Sequence, residues 1–518
     1  MQKQFVFTIK TTGKQSYLYL QKSKYDKKRR KPVTESFSLG SVNKIGHIIE
    51  KLLTSAESVF LGEAILQGLF EKLNITRHLK KDLKEAGATG KQIRLLQFLM
   101  ATRGVRPLSK LGSVRYLNHS LLEQQVVIDH VNECYDVMAL LTDPEELFRK
   151  YSVLALAALN YQPTTTYFDT TSIFFYSDVD SFRSKGFNKD HRRGQPQVIF
   201  ALSCTDEWLP TSYRVYPGNT SDITCFKDYL ALPPDKKCLL VFDDGCYSFD
   251  MIQYLDKHRY RYIAGCDITK YQPIGEAKKR LINGKHWKIQ EAIYQGHRVI
   301  EAYNIKNRKK GLEKLDNKVS RVEQFTQQVK GRTLDSKQQK VQELITSLGL
   351  KSIFTVKQEE KRIILTKNER TLKQKRKRTK LIRIMTNLDD SPKKILTQYL
   401  NRVDVERVFM YLKSPLAIRP VFHSKEQSIK AHIFITMMGY LQLTTLRYYL
   451  KTHHQVDLTL ESLLEELSFA TAIVVEPKTD IKLTYAGKQV SWLSSLLQDL
   501  ELPLRHSEML LDLPNPDS

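Results

Sequence analysis

The sequence predicts a multidomain α/β protein whose mixed sheet is flanked by helices and interrupted by a basic insertion. Three observations lead to this fold class. The chain has 518 residues, which is too many for one hydrophobic core at roughly 100–200 residues per domain. Short apolar runs alternate with helical patterns from residue 161 onward, as in proteins that pack helices on a sheet. A strongly basic stretch then separates two parts of this alternation.

The N-terminal third of the chain shows two different patterns. Phe5, Phe7 and Ile9 alternate with other residues, so we predict a small β-meander over residues 1–44. Residues 45–160 follow a helical period, as at Leu95, Leu96 and Leu99, and we predict a helical region there with room for a helix-turn-helix.

Residues 161–267 form the first part of the predicted core. The pattern indicates strands at 164–169, 197–204, 209–216, 238–243 and 260–266, with helices at 221–230 and 248–257. Ser221 precedes the first of these helices and is a suitable N-cap. The apolar run at 238–243 is typical of a buried strand.

A basic insertion is predicted over residues 268–380, with strand-like pieces around a helical stretch from about 308 to 347. The second part of the core follows over 381–450. It is predicted to contain a strand at 381–385, one long helix at 392–413 and a last apolar helix at 429–449. Residues 451–518 form an acidic C-terminal region.

Charge is the feature of the composition that best limits function. The chain carries 82 Lys and Arg against 56 Asp and Glu, a formal net charge of +26. Residues 306–383 hold 24 basic and 8 acidic residues, whereas residues 456–518 hold 4 basic and 11 acidic residues. An enzyme for a small metabolite has no use for such an excess, but a protein that binds the phosphates of nucleic acid does.

Cysteine usage and hydropathy indicate a compartment. The six cysteines form no C-x-x-C pair, which favours a reducing environment over a disulfide scaffold or a zinc knuckle. The N-terminus lacks the apolar region of a signal peptide, and the apolar run at 433–446 is too short to cross a membrane. We therefore expect a cytoplasmic protein with no membrane partner.

Two aspartates stand at the ends of apolar strands. Asp169 ends the run that begins at Thr164, and Asp243 ends the run that begins at Cys238. An acid beside a buried strand is costly unless a partner neutralises it. If the two strands are parallel neighbours, both carboxylates meet at one edge of the sheet and suit a hard divalent cation. Strand-end aspartates also occur as simple turn residues.

A second group of polar side chains shares one face of the helix predicted at 392–413. At roughly 100° per residue, its members lie within about 60° of one another. They are Tyr399, Arg402, Glu406 and Lys413. One interpretation is a site for metal and phosphate. The other is a solvated face, on which Arg402 and Glu406 form an ordinary i,i+4 ion pair.

The order of these elements resembles the ribonuclease H-like fold, and the motifs resemble those of the insertion-sequence DDE transposases. That family has the signature Y-x2-R-x3-E-x6-K, and residues 399–413 meet its spacing at every position. The second acid is followed by Asp244 and Gly245, similar to the Asp-x-Gly turn of the family. The other blocks that resemble the family are 167–171, 186–190, 196–198, 218–222 and 386–387.

The resemblance implies a DNA transposase that excises and integrates an insertion sequence by cleavage and strand transfer. Asp169, Asp243 and Glu406 would be the catalytic residues and would hold two Mg²⁺ ions, for which Mn²⁺ substitutes. The family pattern favours Asp243 over its neighbour Asp244 as the ligand.

The resemblance also implies partners. Tyr399, Arg402 and Lys413 would contact double-stranded DNA at the element ends and at the target, and the basic run adds Arg376 and Lys377. A homodimer in the DNA complex and a nucleoid location in a prokaryotic cell are expected. Two alternatives stay open: a ribonuclease H-like nuclease without strand transfer, and a non-catalytic DNA-binding protein derived from a transposase.

Overall fold

In a computed structural model, the protein divides into two compact units. The first unit comprises residues 1–144 and 431–518, and the second unit comprises residues 145–430. The described residues are 5–12, 15–26, 31–41, 56–120, 122, 126, 128–176, 178–186, 194–232, 236–268, 271–331, 333–359, 362–419, 421–475 and 491–500.

The N-terminal part of the first unit has strands followed by helices. Its strands are β1 (Phe5–Thr12), β2 (Gln15–Asp26), β3 (Lys31–Ser41) and β4 (Ala56–Phe60). Its helices are α1 (Gly62–Lys72), α2 (Ile75–Glu85), α3 (Gly90–Val105), α4 (Lys110–Tyr116) and α5 (Asn132–Ala139). Strands β1, β2 and β3 form an antiparallel meander, as the alternation of apolar residues predicts.

The second unit contains a mixed sheet with helices packed around it. Its first elements are α6 (Pro144–Ala158), β5 (Thr165–Phe174), β6 (Gln197–Thr205), β7 (Pro210–Pro217), α7 (Asp222–Ala231), β8 (Leu239–Phe242), α8 (Phe249–Lys257) and β9 (Arg261–Gly265). The side chains of Ser221 and Ser248 cap α7 and α8, because each accepts a hydrogen bond from the third helical N–H.

The later elements of this unit are the insertion and the second part of the core. They are β10 (Gln272–Ile282), β11 (Lys285–Tyr294), β12 (His297–Asn304), α9 (Ile305–Gln328), α10 (Leu334–Ser347), β13 (Phe354–Glu359), β14 (Arg362–Lys367), α11 (Glu369–Arg378), β15 (Ile382–Thr386), α12 (Pro392–Asn401) and α13 (Val403–Lys413).

The large sheet has nine strands in the order β10-β11-β12-β15-β9-β8-β5-β6-β7. Strands β5, β8 and β9 are parallel neighbours, whereas β6 and β7 follow β5 in antiparallel fashion. The predicted mixed α/β class and the parallel pairing of the two aspartate-bearing strands are both confirmed. Phe168 pairs with Phe242, and Phe242 pairs with Ala264. The next residues, Asp169 and Asp243, therefore stand side by side on neighbouring strands.

The insertion has two structural roles. Its first three strands extend the large sheet, because β12 pairs with β15 and β15 pairs with β9. Its remaining part, from α9 to α11, has a hydrophobic core of its own that includes Val322, Val341, Ile345 and Phe354. The hairpin of β13 and β14 is a separate two-stranded sheet.

The prediction of one long helix over 392–413 was wrong. Helix α12 ends at Asn401 and α13 begins at Val403, with Arg402 between them. At this junction the N–H of Arg402 bonds to the carbonyl of Tyr399, and the N–H of Val405 bonds to the carbonyl of Arg402. These i→i−3 hydrogen bonds tighten the chain into a 3₁₀-like turn, and they shift the polar face relative to a continuous helix.

The C-terminal part of the first unit contains α14 (Glu426–His453), α15 (Leu460–Phe469), β16 (Thr471–Val475) and α16 (Ser491–Asp499). Strand β16 pairs with β4 in antiparallel fashion. Helices α3 and α14 approach closely where a side chain at Gly439 would lie 2.8 Å from the backbone nitrogen of Gly104. None of the described helices has the length and hydropathy that crossing a bilayer requires.

Candidate active site

A cleft of about 720 Å³ opens over the edge of the sheet where the two aspartates stand. It lies entirely within the second unit. Its walls come from β5, the turns after β8 and before α7, helix α13 and the segment that follows it. The residues that line it are Asp169, Thr170, Thr171, Asp222, Asp243, Asp244, Gly245, Cys246, Arg402, Glu406, Phe409, Met410, Lys413, Ser414 and Arg419.

Asp169 lies within β5 and is 8% exposed. Its Oδ1 accepts a hydrogen bond of 2.8 Å from the backbone N–H of Thr170. The hydroxyl of Thr170 in turn donates to Oδ1 of Asp222 at 2.6 Å. Two carboxylates are therefore tied to one residue of the strand, and both line the cleft.

Asp243 directly follows β8 and is held from two sides. The hydroxyl of Tyr399 donates a hydrogen bond of 2.9 Å to its Oδ1, and the guanidinium of Arg402 lies 3.1 Å from its Oδ2. Burial, followed by the negative charge of Asp243, raises the pKa of Tyr399 above its ordinary value. The phenol consequently stays protonated and acts as a donor at neutral pH.

Gly265, the last residue of β9, makes room for this contact. A side chain at this position would lie 2.7 Å from the backbone nitrogen of Asp244 and closer still to the hydroxyl of Tyr399. Because real Cβ atoms do not approach backbone atoms so closely, any larger residue would displace the turn after β8. The glycine allows the strand end, the turn and the tyrosine to meet.

Arg402 connects the two aspartates. One of its terminal nitrogens lies 3.7 Å from Asp169 and 3.1 Å from Asp243, and its guanidinium lies 5.2 Å from the ring centre of Tyr399. Burial lowers the pKa of Arg402, but the carboxylates of Asp243, Asp169 and Glu406 outweigh it and the pKa lies above the ordinary value. Its Nε atom is buried and has no hydrogen-bond partner among the described residues.

The other predicted residues divide into two groups. Glu406 and Lys413 lie on α13 and line the same cleft, so Asp169, Asp243, Glu406, Arg402 and Lys413 come together there. Arg376 and Lys377 do not line the cleft; they lie on α11, where Arg376 forms an ion pair of 2.7 Å with Asp316.

Asp244 differs from Asp243 in its surroundings. It begins a short 3₁₀ turn and lines the cleft. Among the described residues, Arg402 forms ion pairs with Asp169 and Asp243 but not with Asp244. Burial and the neighbouring charge of Asp243 raise the pKa of its carboxyl group. Asp243 therefore differs from Asp244 in that it accepts the hydrogen bond of Tyr399 and forms an ion pair with Arg402.

The donor atoms of the cleft suit a divalent metal ion that prefers oxygen. Asp169 and Asp243 converge on a single cationic group, and Glu406 lines the same cleft, which is the hard carboxylate chemistry that Mg²⁺ prefers. Within the described ranges, no three Asp, Glu, His or Cys side chains already stand at metal-binding spacing. The chemistry of the side chains fits such an ion, and Glu406 is one of the five carboxylates in the cleft lining.

Sequence reasoning gave no role to several residues of this site. Asp222 is the first residue of α7, and the only sequence signal for it is its place in the block 218–222. Arg419 lines the cleft with its guanidinium 4.8 Å from the ring centre of Phe174, and no motif marks it. Their positions depend on contacts between distant parts of the chain.

Three of the blocks that resemble the transposase family meet beside β6. The side-chain amide of Gln197 donates to the carbonyl of Gly218 at 2.9 Å, and a side chain at Gly186 would collide with that same carbonyl. The rest of the block 186–190, from residue 187, lies outside the described residues. Close backbone packing therefore explains the two glycines and Gln197.

Comparison with known proteins identifies the family of the chain. The family model described as transposase DDE domain matches residues 163–442. No curated protein sequence matches the chain. A cryo-EM structure of a piggyBac transposase synaptic complex with hairpin DNA is similar at 9% sequence identity and a TM-score of 0.37, over 88% of this chain and 85% of that chain. The family match spans more than half of the 518 residues and confirms the predicted family: the protein belongs to the DDE-domain transposases, the enzymes that cut and join DNA in transposition.

Proposed function

We propose that Asp169, Asp243 and Glu406 are the three catalytic carboxylates of this transposase. The observation that carries the proposal is the shared position of Asp169 and Asp243 on parallel strands, with Arg402 between them and Glu406 in the same cleft. Mg²⁺ is the proposed metal, with Mn²⁺ as a substitute, because the three donors are carboxylates. Such ions supply Lewis-acid stabilisation of the oxygens that attack and leave during phosphoryl transfer.

The reaction consists of two transfers at phosphorus. In the first, a water oxygen attacks a phosphate at the element end, the P–O3′ bond breaks, and the 3′ oxygen leaves as a hydroxyl group. In the second, that 3′-OH attacks a phosphate of the target, a new P–O3′ bond forms, and the target strand leaves with its own 3′-OH. No covalent bond to the protein is needed in either transfer.

The remaining side chains bind and orient the DNA. Arg402 has a planar guanidinium that lines the cleft between the two aspartates, and such a group suits contact with phosphate oxygens. Lys413 supplies a point charge further along α13, and Tyr399 holds Asp243 in place. We propose that Arg402 and Lys413 contact the DNA near the bond that is cut. The predicted DNA contact of Tyr399 is less favoured, because Tyr399 is buried and is not part of the cleft lining.

The proposed partners follow from the charge and from the two chemical steps. Element ends and target are both double-stranded DNA, which the net charge of +26 attracts. A homodimer would bring two ends together, and a nucleoid location in a prokaryotic cell would give access to the target.

Cleavage and strand transfer test this proposal. The substrate is a duplex that carries the DNA flanking the coding sequence, with Mg²⁺, Mn²⁺ or EDTA. Metal-dependent release of a 3′-OH followed by its joining to a target plasmid is the expected result. Cleavage without joining would leave a nuclease of the same fold, and the absence of both reactions would contradict the assignment of the three carboxylates.

A further inference from the structure

Four lysines of the insertion stand where the end of α11 meets the beginning of α9. Lys309 and Lys310 stand near the beginning of α9, and Lys377 and Lys380 stand at the end of α11 and just after it. All four are exposed, and none of them forms an ion pair or a hydrogen bond of its side chain within the described part of the chain. We call these four residues the lysine cluster.

Arg308 fastens the two helix ends together. Its guanidinium donates hydrogen bonds to three backbone carbonyls at the end of α11, those of Arg376, Lys377 and Thr379, at 3.4, 3.1 and 3.2 Å. The guanidinium also lies 4.4 Å from the ring centre of Tyr303. A cation at the C-terminal end of a helix satisfies its free carbonyls and complements its dipole.

A second feature confirms that the two segments are built to lie close together. A side chain at Gly311 would lie 2.8 Å from Cγ2 of Thr379 and 3.1 Å from Cγ of Lys380. Only a residue without a side chain allows α9 to pack against this turn. Like charges therefore gather at one place although they repel one another, and contacts to backbone atoms hold them there.

The register of the sheet places the lysine cluster relative to the cleft. Gly265 pairs with Ile384, and Ile384 pairs with Ile300, so Ile300 lies in the same row as Asp243 and three strands away. At roughly 4.8 Å per strand this is about 15 Å. Strand β12 runs parallel to β9, because both are antiparallel to β15. Its end at Asn304, where α9 begins, is thus on the edge of the sheet that carries the aspartates, and it lies about 13 Å beyond Ile300 at roughly 3.3 Å per residue. The beginning of α9 is therefore about 20 Å from Asp243.

An ion pair links the same region to the end of β9. Arg378 lies 3.9 Å and Arg383 lies 3.6 Å from Asp267, which follows Gly265 by two residues. The end of α11 is therefore tied to the segment that follows β9. Since duplex DNA rises about 3.4 Å per base pair, about 20 Å corresponds to about six base pairs.

From these contacts we infer that the lysine cluster binds backbone phosphates of the DNA about six base pairs from the bond that is cut, and that Arg308 is the positioning residue of this surface. The inference rests on the proposed function of the cleft. It replaces Arg376, whose charge is already paired with Asp316, as the main phosphate-binding residue of the insertion.

The salt dependence of binding to a generic duplex, measured in EDTA, tests the inference without cleavage. The double variant Lys377→Ala with Lys380→Ala should lower the slope of log affinity against log salt by about 1.8, at roughly 0.9 for each phosphate that the protein no longer neutralises. The matched control is Lys330→Ala with Lys340→Ala. Both control residues are exposed, and Lys330 follows the far end of the 24-residue helix α9. The control slope should equal that of the wild type.

Arg308→Ala separates positioning from folding. It should lower the slope in the wild-type background but not further in the Lys377→Ala, Lys380→Ala background, while the melting temperature falls equally in both. Neutral methylphosphonates, placed one at a time in the element-end duplex, should weaken wild-type binding at about six base pairs from the cut. An unchanged slope for the double variant, or an equal fall in the control, overturns the inference even if the wild type still cleaves DNA. If the wild type fails to cleave DNA while the double variant still shows the expected fall in slope, the result counts against the proposed function of the cleft and not against the lysine cluster.

Discussion

The hydroxyl of Tyr399 on α12 donates a hydrogen bond of 2.9 Å to Oδ1 of Asp243 at the end of β8. Residues 156 positions apart in the chain thus act as one unit. Tyr399→Phe should keep the ring beside Arg402 but remove the donor, and Asp243 would lose its orientation. We expect a stability loss of about 1 kcal/mol and a larger fall in cleavage rate. Single-turnover cleavage and thermal melting measure the two effects, and equal rates would exclude a role for the hydroxyl.

The carboxylates themselves are tested by amide substitution. Asp169→Asn, Asp243→Asn and Glu406→Gln should each abolish cleavage, because an amide is a poor ligand for a divalent ion. DNA binding should remain, since phosphate contacts come from other side chains. Asp244→Asn is the matched comparison and should retain most of the activity. Loss of cleavage in Asp244→Asn with normal cleavage in Asp243→Asn would show that the neighbouring residue is the ligand.

Arg402 should matter more for rate than an exposed ion pair would. Arg402→Ala removes a fixed positive charge beside the reacting phosphate, and such a loss typically costs about 100-fold or more. Lys413→Ala should act in the same direction but more weakly, because it lies further along α13. Arg407→Ala, on the same helix but outside the cleft lining, should leave cleavage near the wild-type rate. Rates are measured in a single turnover at saturating DNA.

Gly265→Ala should disturb the site more than the fold. The new methyl group would press on the backbone of Asp244 and on the hydroxyl of Tyr399, and overpacking of this kind costs about 1–3 kcal/mol. The cleavage rate should fall more than melting alone explains. Gly90→Ala serves as the control, because its methyl group would meet only the flexible end of Arg94 at 3.6 Å. A variant Gly265→Ala with wild-type cleavage would contradict the close packing of the turn.

Glu63 gives the first unit a pH dependence. Its carboxyl group is fully buried, and neither oxygen has a hydrogen-bond partner among the described residues. Burial raises its pKa from 4.5, although Tyr116 and Arg106 oppose the shift in part. The folded state therefore disfavours the ionised carboxylate, which lowers the free energy of unfolding. This loss is absent below pH 4.5 and grows as the pH rises to the pKa that Glu63 has in the folded state. Glu63→Gln should raise the melting temperature at neutral pH, and the gain should vanish in acid.

Local sequence patterns predicted the elements that carry the site. The apolar run before Asp243 matches β8, because strands buried on both faces need continuous apolar sequence. The run before Asp169 matches only the first half of β5, which continues to Phe174, so the prediction that Asp169 ends its strand was wrong. The parallel pairing of these two strands, and hence the meeting of their carboxylates, also followed from the order of the elements. The transposase family was confirmed, whereas the roles of the individual residues stay predictions.

Contacts between distant segments were beyond the reach of periodicity. The pairing of β16 with β4 and the extension of the sheet by β10, β11 and β12 join segments that no local pattern relates. The turn at Arg402 was missed because its residues have ordinary helix propensity, and the i→i−3 hydrogen bonds that form it leave no mark in the sequence. Arg308 was likewise read as one charge among many, since only its three carbonyl partners distinguish it.

The pairing of β12 with β15 determines how the segment between them is connected to the sheet. Ala302 and Ile382 face each other across neighbouring antiparallel strands, so the chain leaves the sheet and returns to it about 5 Å away. The whole segment from α9 to α11 is therefore equivalent to the loop of a β-hairpin, which a turn of about two to five residues normally closes. A change in the length or charge of this segment would therefore be confined to one loop and would leave the order of the nine strands and the position of the carboxylates as they are.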